Sequence, residues 1–475
     1  MSIKLKRIAS CLIIVCLTVA MLSVLTDITE KKSSVEKYFH FFEQDSDFDV
    51  LFMGSSKVIN AVFPMELWND YGIVSYNMGG HANAIPTSYW VLRNALKYTT
   101  PKCVVFDCYG SGVNSWIKEK YQYAHQSFDA FPLSLTKIQA IFDLVGPEND
   151  KKTQAIRMEM LWNFITYHNR WSEINLNDFH PWHTYQKGAE PRVNVSIPAK
   201  MAVVSPEKRN TLESRNMQYI IKTIELCQQR GIDILLVHMP YPATKGELIA
   251  ANTVADVAET YDVDYLNFLT MDVVDYKTDM NDPNSHLNPS GAHKITDYLG
   301  RYLTERHGIP NQKNNPDYQS WHDDAQKYHQ EKIDLFKNAA CAWNYWMLLK
   351  DDDFSFVAEL SQEDLQRDEV LAALLRNVDA EPEKVRGRCI IAADRISGEI
   401  NYIEYETLLA GPVETALGTL SFDGECIRLD EQECWNTIKA GHSFASIRFA
   451  LLDSTGKVVN TAFYSADKIR SEHAE

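Results

Sequence analysis

Short apolar runs alternate with amphipathic stretches between residues 48 and 308. Each run is brief and rich in β-branched or aromatic residues, which is typical of strands buried on both faces of a parallel sheet. The pattern predicts five strands, at residues 48–53, 72–76, 103–107, 232–237 and 263–266.

Three of the intervening stretches carry apolar residues at i, i+3, i+4 and i+7, at residues 90–96, 217–227 and 295–303. This spacing predicts helices with one buried face. Gly231 and Gly308 provide plausible stops for the second and third helix. A strand–helix–strand repeat implies an α/β domain with a parallel sheet and right-handed crossovers.

Residues 111–213 interrupt the repeat with an insertion rich in aromatic residues, among them Trp162, Tyr167, Trp171 and Trp182. An insertion between two strands of a parallel sheet tends to cover the carboxyl ends of the strands, where α/β proteins bind ligands. The aromatic side chains would then supply stacking surfaces for sugars. The alternative interpretation is a helical insertion that only extends the core.

The chain beyond residue 308 has a different character. Residues 309–330 are polar and contain prolines, as expected of a linker. A helical stretch follows at about 331–350, and the rest of the 331–475 region is predicted to be a small β-rich domain. Within it, residues 390–400 and 447–458 both indicate a strand, a turn and a second strand, and resemble a weak repeat.

The N-terminal residues predict a membrane anchor. Lys4, Lys6 and Arg7 precede an apolar stretch at residues 8–25, and about 18 to 20 apolar residues suffice to cross a bilayer. The basic residues should stay in the cytoplasm. We therefore expect a stub and transmembrane helix at 1–26, a connector at 27–47, and the bulk of the chain outside the plasma membrane. A cleaved signal peptide is the alternative, with the same extracytoplasmic destination.

Composition narrows the choice of partners and cofactors. The formal net charge is −17, from 64 acidic and 47 basic side chains; this charge repels phosphate backbones, so nucleic acid is not expected. The nine cysteines contain no CxxC pair, so no metal site and no cofactor is expected. Cys103 and Cys227 are predicted to be core residues, and a disulfide between Cys426 and Cys434 stays open.

The strongest local motif joins the first strand to a Gly54-Ser55-Ser56 turn. This turn would place a serine hydroxyl at the carboxyl edge of the sheet, beside backbone amides at a helix N-terminus that can stabilise an oxyanion. The alternative is that Ser55 or Ser56 only caps the helix.

A second motif precedes the last helix, where Asp282 stands four residues before His286. A histidine that accepts a proton from serine needs a carboxylate to orient its ring. The loop follows the last strand and should therefore lie at the same sheet edge as Ser56. A surface histidine without a catalytic role is the alternative.

Together, Gly54-Ser55-Ser56 and His286-Leu-Asn-x-x-Gly291 resemble the SGNH/GDSL hydrolase superfamily over about residues 48–305 of the predicted α/β domain at 48–308. The likeness is greatest to its divergent extracytoplasmic branch, which includes teichoic-acid D-alanylation and alginate O-acetylation accessory proteins. The resemblance implies a flavodoxin-like three-layer α/β fold, with Ser56 as nucleophile and His286 as general base. It does not extend to the anchor or to the C-terminal domain.

The remaining site residues follow from the same resemblance. Asn77-Met-Gly-Gly80 is similar to the block whose glycine amide joins Ser56 in the oxyanion hole, which implies Gly79 or Gly80, while the usual later glycine falls at Ala82. The third block has no clean match, and Asn114 is the candidate asparagine. The family spacing Asp-x-x-His would put Pro283 at the acidic position, so either the loop bulges to admit Asp282 or a Ser–His dyad operates.

The function implied is that of a serine esterase or O-acyltransferase acting on acyl esters of a cell-envelope polysaccharide or related glycan. An acylated small molecule is a further substrate class, and a membrane-bound O-acyltransferase is the implied partner. The alternative is a catalytically inactive, SGNH-like subunit that binds the glycan or scaffolds an envelope acylation complex.

Overall fold

The computed structural model describes residues 3–30, 36–43, 47–115, 117, 121–179, 184–196, 198, 201–338, 354–367, 369–438 and 446–464. The helices up to residue 338 are α1 Ile3–Thr29, α2 Glu36–Glu43, α3 Ser56–Ile59, α4 Pro64–Tyr71, α5 Ile85–Ala95, α6 Tyr121–Phe128, α7 Leu135–Val145, α8 Lys151–Leu161, α9 Asn163–Tyr167, α10 Leu176–Phe179, α11 Arg215–Gln229, α12 Lys245–Thr260, α13 Pro289–His307 and α14 Gln319–Asn338.

Five parallel strands form the first sheet, in the order β2-β1-β3-β4-β5. They are β1 Val50–Met53, β2 Ser75–Asn77, β3 Cys103–Asp107, β4 Asp233–His238 and β5 Asp264–Asn267. The predicted parallel sheet is confirmed, with each strand within three residues of its expected bounds. The first and last residues of each strand depend on pairing, because a strand extends only as far as it hydrogen-bonds to the neighbouring strand.

Both faces of this sheet are covered, which explains why its strands are apolar without alternation. In β1, Leu51 and Met53 point into one core cluster, while Val50 and Phe52 point into a second cluster on the opposite face. The first cluster takes residues from α5 and α11, and the second takes residues from α13. The domain is therefore a three-layer α/β structure.

The helix α12 was not among the predicted helices. Its signal is the capping box formed by Thr244 and Glu247, in which each side chain accepts from the backbone of the other residue. The apolar residues of α12 follow the helical spacing only weakly, so the capping box is the clearest sequence signal for this helix.

The predicted connector at 27–47 and the predicted linker at 309–330 both contain residues that pack into the core of the α/β domain. Tyr38 and Phe41 of α2 are buried in the first core cluster. Trp321 and Tyr328 of α14 are buried in the same cluster, and the Trp321 ring packs at a tilt against that of Trp68, with ring centroids 5.5 Å apart. These segments pack on the domain although most of their residues are polar, because each large aromatic side chain at helical spacing buries much apolar area.

The C-terminal region is β-rich, as predicted. Its strands are β6 Ser355–Ser361, β7 Arg388–Asp394, β8 Glu399–Glu404, β9 Val413–Thr415, β10 Gly418–Phe422, β11 Cys426–Leu429, β12 Gln432–Asn436, β13 Ile447–Leu452 and β14 Val458–Tyr464. They form two antiparallel sheets, β14-β13-β6-β7-β8 and β12-β11-β10-β9. The two stretches with the suspected repeat are the hairpins β7–β8 and β13–β14, which pair with opposite edges of β6.

Among the described residues of this region are the further helices α15 Gln362–Arg367, α16 Glu369–Asn377 and α17 Tyr405–Ala410. The helix predicted at 331–350 corresponds to the end of α14 as far as Asn338, and the rest lies outside the described residues. Cys426 and Cys434 are buried free thiols, so the open disulfide is not formed. Cys103 and Cys227 are core residues as predicted, whereas Cys341 lies outside the described residues.

The helix α1 contains a stretch, Ala9–Thr29, that is long and apolar enough to cross a membrane. Its side chains are largely exposed along this stretch. The helix ends three residues later than the predicted limit of 26.

Candidate active site

The two adjacent serines after β1 have different structural roles. Ser55 is the N-cap of α3, and its Oγ accepts a hydrogen bond from the Lys57 amide at 3.3 Å. Ser56 is the first residue of the helix, and its hydroxyl is therefore free of the capping role. The capping role therefore belongs to Ser55, whereas the predicted nucleophile is Ser56.

Gly54 is needed where β1 turns into α3 because neighbouring side chains approach its backbone closely. A Cβ at this position would lie 2.5 Å from Cγ2 of Val58 and 2.8 Å from Cβ of Asp107. Both distances are far below van der Waals contact, so a larger residue would push the serine turn away from the sheet edge.

A short hairpin-like loop carries His286. Met280 and Leu287 form an isolated antiparallel bridge at its base, and the Asn281 amide donates to the His286 carbonyl at 2.8 Å. Asn288 fixes the exit of the loop, because its Oδ1 caps α13 and its Nδ2 donates to the Thr278 carbonyl at 2.7 Å. The base of the loop is therefore held independently of its tip.

Ser56, His286 and Asp282 form a continuous chain of hydrogen bonds. The Ser56 Oγ lies 2.8 Å from Nε2 of His286, and Nδ1 of His286 lies 2.5 Å from Oδ2 of Asp282. The structure thus brings together the three residues predicted to be catalytic, although Ser56 and His286 are 230 positions apart along the chain. The arrangement is that of a serine nucleophile, a base and a carboxylate that orients the base.

The loop admits Asp282 by folding as an Asx-type turn. Oδ1 of Asp282 accepts from the amides of Asn284 at 3.0 Å and Ser285 at 2.8 Å. These bonds curl the chain so that the other oxygen, Oδ2, faces the His286 ring. One extra residue between the carboxylate and the histidine is therefore absorbed by the turn.

The environment keeps Asp282 ionised. Partial burial favours its neutral form, but the hydrogen bond and the electrostatic interaction with His286 and the hydrogen bonds from the amides of Asn284 and Ser285 outweigh burial and lower the pKa of Asp282 to about 2. The carboxylate faces Nδ1 of His286 and orients the ring so that Nε2 points at the Ser56 Oγ.

Lys57 was not singled out from the sequence, although it directly follows Ser56. Its ammonium lies between the rings of Tyr109 and Tyr241, 4.3 and 4.0 Å from their centroids, and donates to the Ser285 carbonyl at 3.3 Å. Burial lowers the pKa of Lys57 to about 8, against the opposing charges of Asp107, Glu247 and Asp282. Lys57 thus links the serine turn to the histidine loop.

A cleft of about 950 Å³ opens over Ser56 and His286 at the carboxyl edge of the sheet. Its walls come from the loops after β1, β2, β3 and β4, with Ala82, Tyr109, His238 and Tyr241 among the lining residues. The volume is within the range of small-molecule sites. The first part of the insertion also contributes, through Gly112, Asn114 and Ser115.

The backbone amides of the two glycines expected in the oxyanion hole already donate hydrogen bonds to other groups of the protein. The Gly79 amide donates to Oδ1 of Asn77 at 3.1 Å, and the Gly80 amide donates to the Gly54 carbonyl at 3.0 Å. Asn114 lies in the cleft wall, where its Oδ1 accepts from the Arg215 amide at 2.6 Å. Ala82 lines the cleft with a left-handed backbone, φ 53°, at the position where the family pattern has its later glycine.

The aromatic residues expected to line the site lie elsewhere. Trp162, Tyr167 and Trp171 are outside the cleft lining and sit near the end of α1, while Trp182 lies outside the described residues. The insertion therefore divides into a part at the cleft and an aromatic part away from it. Among the described residues, no group of three His, Cys, Asp or Glu side chains is arranged to hold a metal ion.

Comparison with known proteins gives little beyond this geometry. No family model matches the sequence, and no curated protein matches it. Among solved structures, a protein described as a candidate acylhydrolase from Bacteroides fragilis is similar, with 11% identity and a TM-score of 0.29 over 58% of this chain and 99% of that chain. A TM-score this low carries no argument, so the functional assignment depends on the site itself.

Proposed function

We propose that this protein is a membrane-anchored serine esterase or O-acyltransferase of the SGNH type, acting on acyl esters of a cell-envelope glycan. The observation that carries the proposal is the hydrogen-bonded chain from Ser56 through His286 to Asp282 at the cleft floor. The strand order β2-β1-β3-β4-β5, which is that of flavodoxin-like folds, supports it, because ligands in such sheets bind beside the first strand where the strand order reverses.

The proposed reaction has two steps. The Ser56 Oγ attacks the ester carbonyl while Nε2 of His286 takes its proton, and the same proton then passes to the departing alcohol. The resulting acyl–Ser56 ester is attacked by water or by a sugar hydroxyl, which gives its proton to His286; as the acyl–oxygen bond to Ser56 breaks, His286 returns that proton to the Ser56 Oγ. Asp282 keeps the imidazole oriented and stabilises its charged form throughout.

The oxyanion donors in this proposal are the backbone amides of Ser56 and Ala82. Ser56 is the first residue of α3, so its backbone amide has no carbonyl in a preceding helical turn to which it could donate a hydrogen bond. Ala82 lines the same cleft, in a conformation that the glycine of the family pattern would adopt readily. This assignment replaces Gly79 and Gly80, whose amides have partners within the protein.

Labelling with a fluorophosphonate probe tests the proposal, because such probes react only with an activated serine. The full chain in detergent should be labelled at Ser56, and Ser56→Ala and His286→Ala should each abolish labelling. Ser55→Ala is the matched control, since Ser55 is adjacent but caps α3; it should retain labelling. Labelling that survives in Ser56→Ala, or a wild-type protein that reacts with neither the probe nor activated esters, would contradict the proposal.

One observation favours a second candidate, a glycan-binding subunit without catalysis. The internal hydrogen bonds of the Gly79 and Gly80 amides leave fewer donors for an oxyanion than the family pattern would supply. Under this alternative, the folded wild-type chain would bind acylated glycan equally well with Ser56 or Ala at position 56, and neither form would react with the probe.

A further inference from the structure

The aromatic part of the insertion presents apolar side chains to solvent. It begins at Trp162, directly before α9, and runs through α9 and a 3₁₀ turn at His168–Ser172 to the end of α10. Trp162 is 39% exposed, Trp171 74%, Leu176 78% and Phe179 54%. We call residues 162–179 the aromatic platform. Four large apolar groups exposed on a single short segment indicate a surface that is covered in use.

The platform is fastened to the end of α1. Nη1 of Arg170 donates to the Thr29 carbonyl at 2.7 Å, and Nδ2 of Asn163 donates to Oε1 of Glu30 at 2.7 Å. Arg170 is itself held by Asp178, at 2.9 Å between Nη2 and Oδ1. The position of the platform relative to α1 is therefore set by buried or half-buried polar contacts rather than by a loose loop.

The length of α1 determines where these contacts lie in a bilayer. The apolar stretch Ala9–Thr29 has 21 residues, which as a helix span about 31 Å at 1.5 Å per residue. This length matches the hydrocarbon thickness of about 30 Å. If the stretch spans the membrane, Thr29 and Glu30 lie at one boundary of the hydrocarbon layer.

Arg170 suits that boundary. The last carbonyls of a helix have no partner within the helix, and an unsatisfied carbonyl is costly where water is scarce. The guanidinium satisfies the Thr29 carbonyl and places a positive charge at the negative end of the helix dipole. Tryptophan side chains are likewise enriched at the membrane–water boundary.

We propose that the aromatic platform rests in the headgroup layer of the same bilayer that α1 spans, with Trp162, Trp171, Leu176 and Phe179 inserted toward the acyl chains. The chain carries a net charge of −17, so anionic lipid does not attract it and the contact is apolar in origin. Two attachments, a spanning helix and a platform fixed to its end, would hold the α/β domain in one orientation above the membrane.

Photolabelling of the full chain in phosphatidylcholine nanodiscs tests this proposal. A carbene probe that partitions into lipid should label both α1 and residues 162–179, whereas Ile396, which is 62% exposed in the C-terminal region, should stay unlabelled. A water-soluble carbene probe should label Ile396 and leave the aromatic platform unlabelled. Lipid-phase labelling of α1 with none at 162–179 would overturn the proposal, and so would absence of labelling in α1.

A variant distinguishes insertion from chance proximity. The double substitution Trp171→Glu and Leu176→Asp places two charges on the exposed face, and lipid-phase labelling of 162–179 should fall at least several-fold while labelling of α1 is unchanged. Ile396→Glu is the matched control and should leave both signals as in the wild type. Equal platform labelling in the double variant would overturn the proposal. Ser56 reactivity does not enter this result, so its outcome is separate from that of the proposed function.

Discussion

The carboxylate of Asp282 lies 2.5 Å from Nδ1 of His286, four positions along the chain, through a turn that its other oxygen stabilises. The same side chain thus shapes the loop and orients the base. This double role explains how a spacing one residue longer than the family pattern still yields a contact with the histidine.

Replacing Asp282 with Asn should slow fluorophosphonate labelling of Ser56 by about 10²- to 10⁴-fold, because the amide can no longer hold the imidazole in the required tautomer. His286→Ala should cost more, since it removes the base itself. Labelling rates at pH 7.5 measure both effects. An Asp282→Asn variant that reacts at the wild-type rate would show that a Ser–His dyad suffices.

Replacing Lys57 with Met should slow labelling about 10- to 100-fold, because a hydrogen bond from a charged donor contributes about 1.5–3 kcal/mol and tenfold in rate is about 1.4 kcal/mol. The loss would come from a mobile Ser285 carbonyl and hence a less well-placed His286. Lys102→Met is the control, since Lys102 is half-exposed and pairs with Asp49 at the opposite end of the sheet. An unchanged rate would mean that the loop base alone positions His286.

The buried carboxyl of Asp107 should make stability depend on pH. Burial raises the pKa of Asp107 from 3.8 to about 7, against the amide of Met239 and the charge of Lys57. Between these two values the unfolded chain has released the proton and the folded chain retains it, so this group lowers stability as the pH rises from about 4 to about 7.

Asp107→Asn should remove this dependence, so that the variant gains stability relative to the wild type between pH 5 and pH 8. Urea midpoints at the two pH values measure the gain. Glu259→Gln changes an exposed carboxylate on α12 and should keep the wild-type pH dependence. Identical pH profiles for Asp107→Asn and the wild type would mean that Asp107 is ionised in the folded protein.

The packing of α14 predicts where the chain can be shortened. A chain that ends at residue 325 loses Tyr328, which is buried in the first core cluster, whereas a chain that ends at residue 338 keeps it. Loss of a buried aromatic side chain costs about 3–5 kcal/mol, so the shorter form should unfold at lower urea concentration. Equal midpoints for the two truncations would show that α14 contributes nothing beyond residue 325.

Much of the architecture was determined by local sequence. The strands β1, β3 and β4 are apolar runs with no competing interpretation, and their order along the chain implies a parallel sheet. Gly54-Ser55-Ser56 and the segment around His286 were visible because each follows a strand and precedes a helix, a context in which such residues meet at one sheet edge.

Tertiary structure decided the rest. Which of Ser55 and Ser56 faces the histidine depends on the direction of two side chains at a turn, and the contact between Asp282 and His286 depends on a loop fold that no spacing rule specifies. Trp162 and Trp171 illustrate the same limit: their sequence context left open a sugar site or a helical insertion that extends the core, and only the tertiary structure shows that they lie outside the cleft and near the end of α1. Short-range patterns determine secondary structure, whereas the neighbours of a side chain depend on distant segments that the chain brings together only on folding.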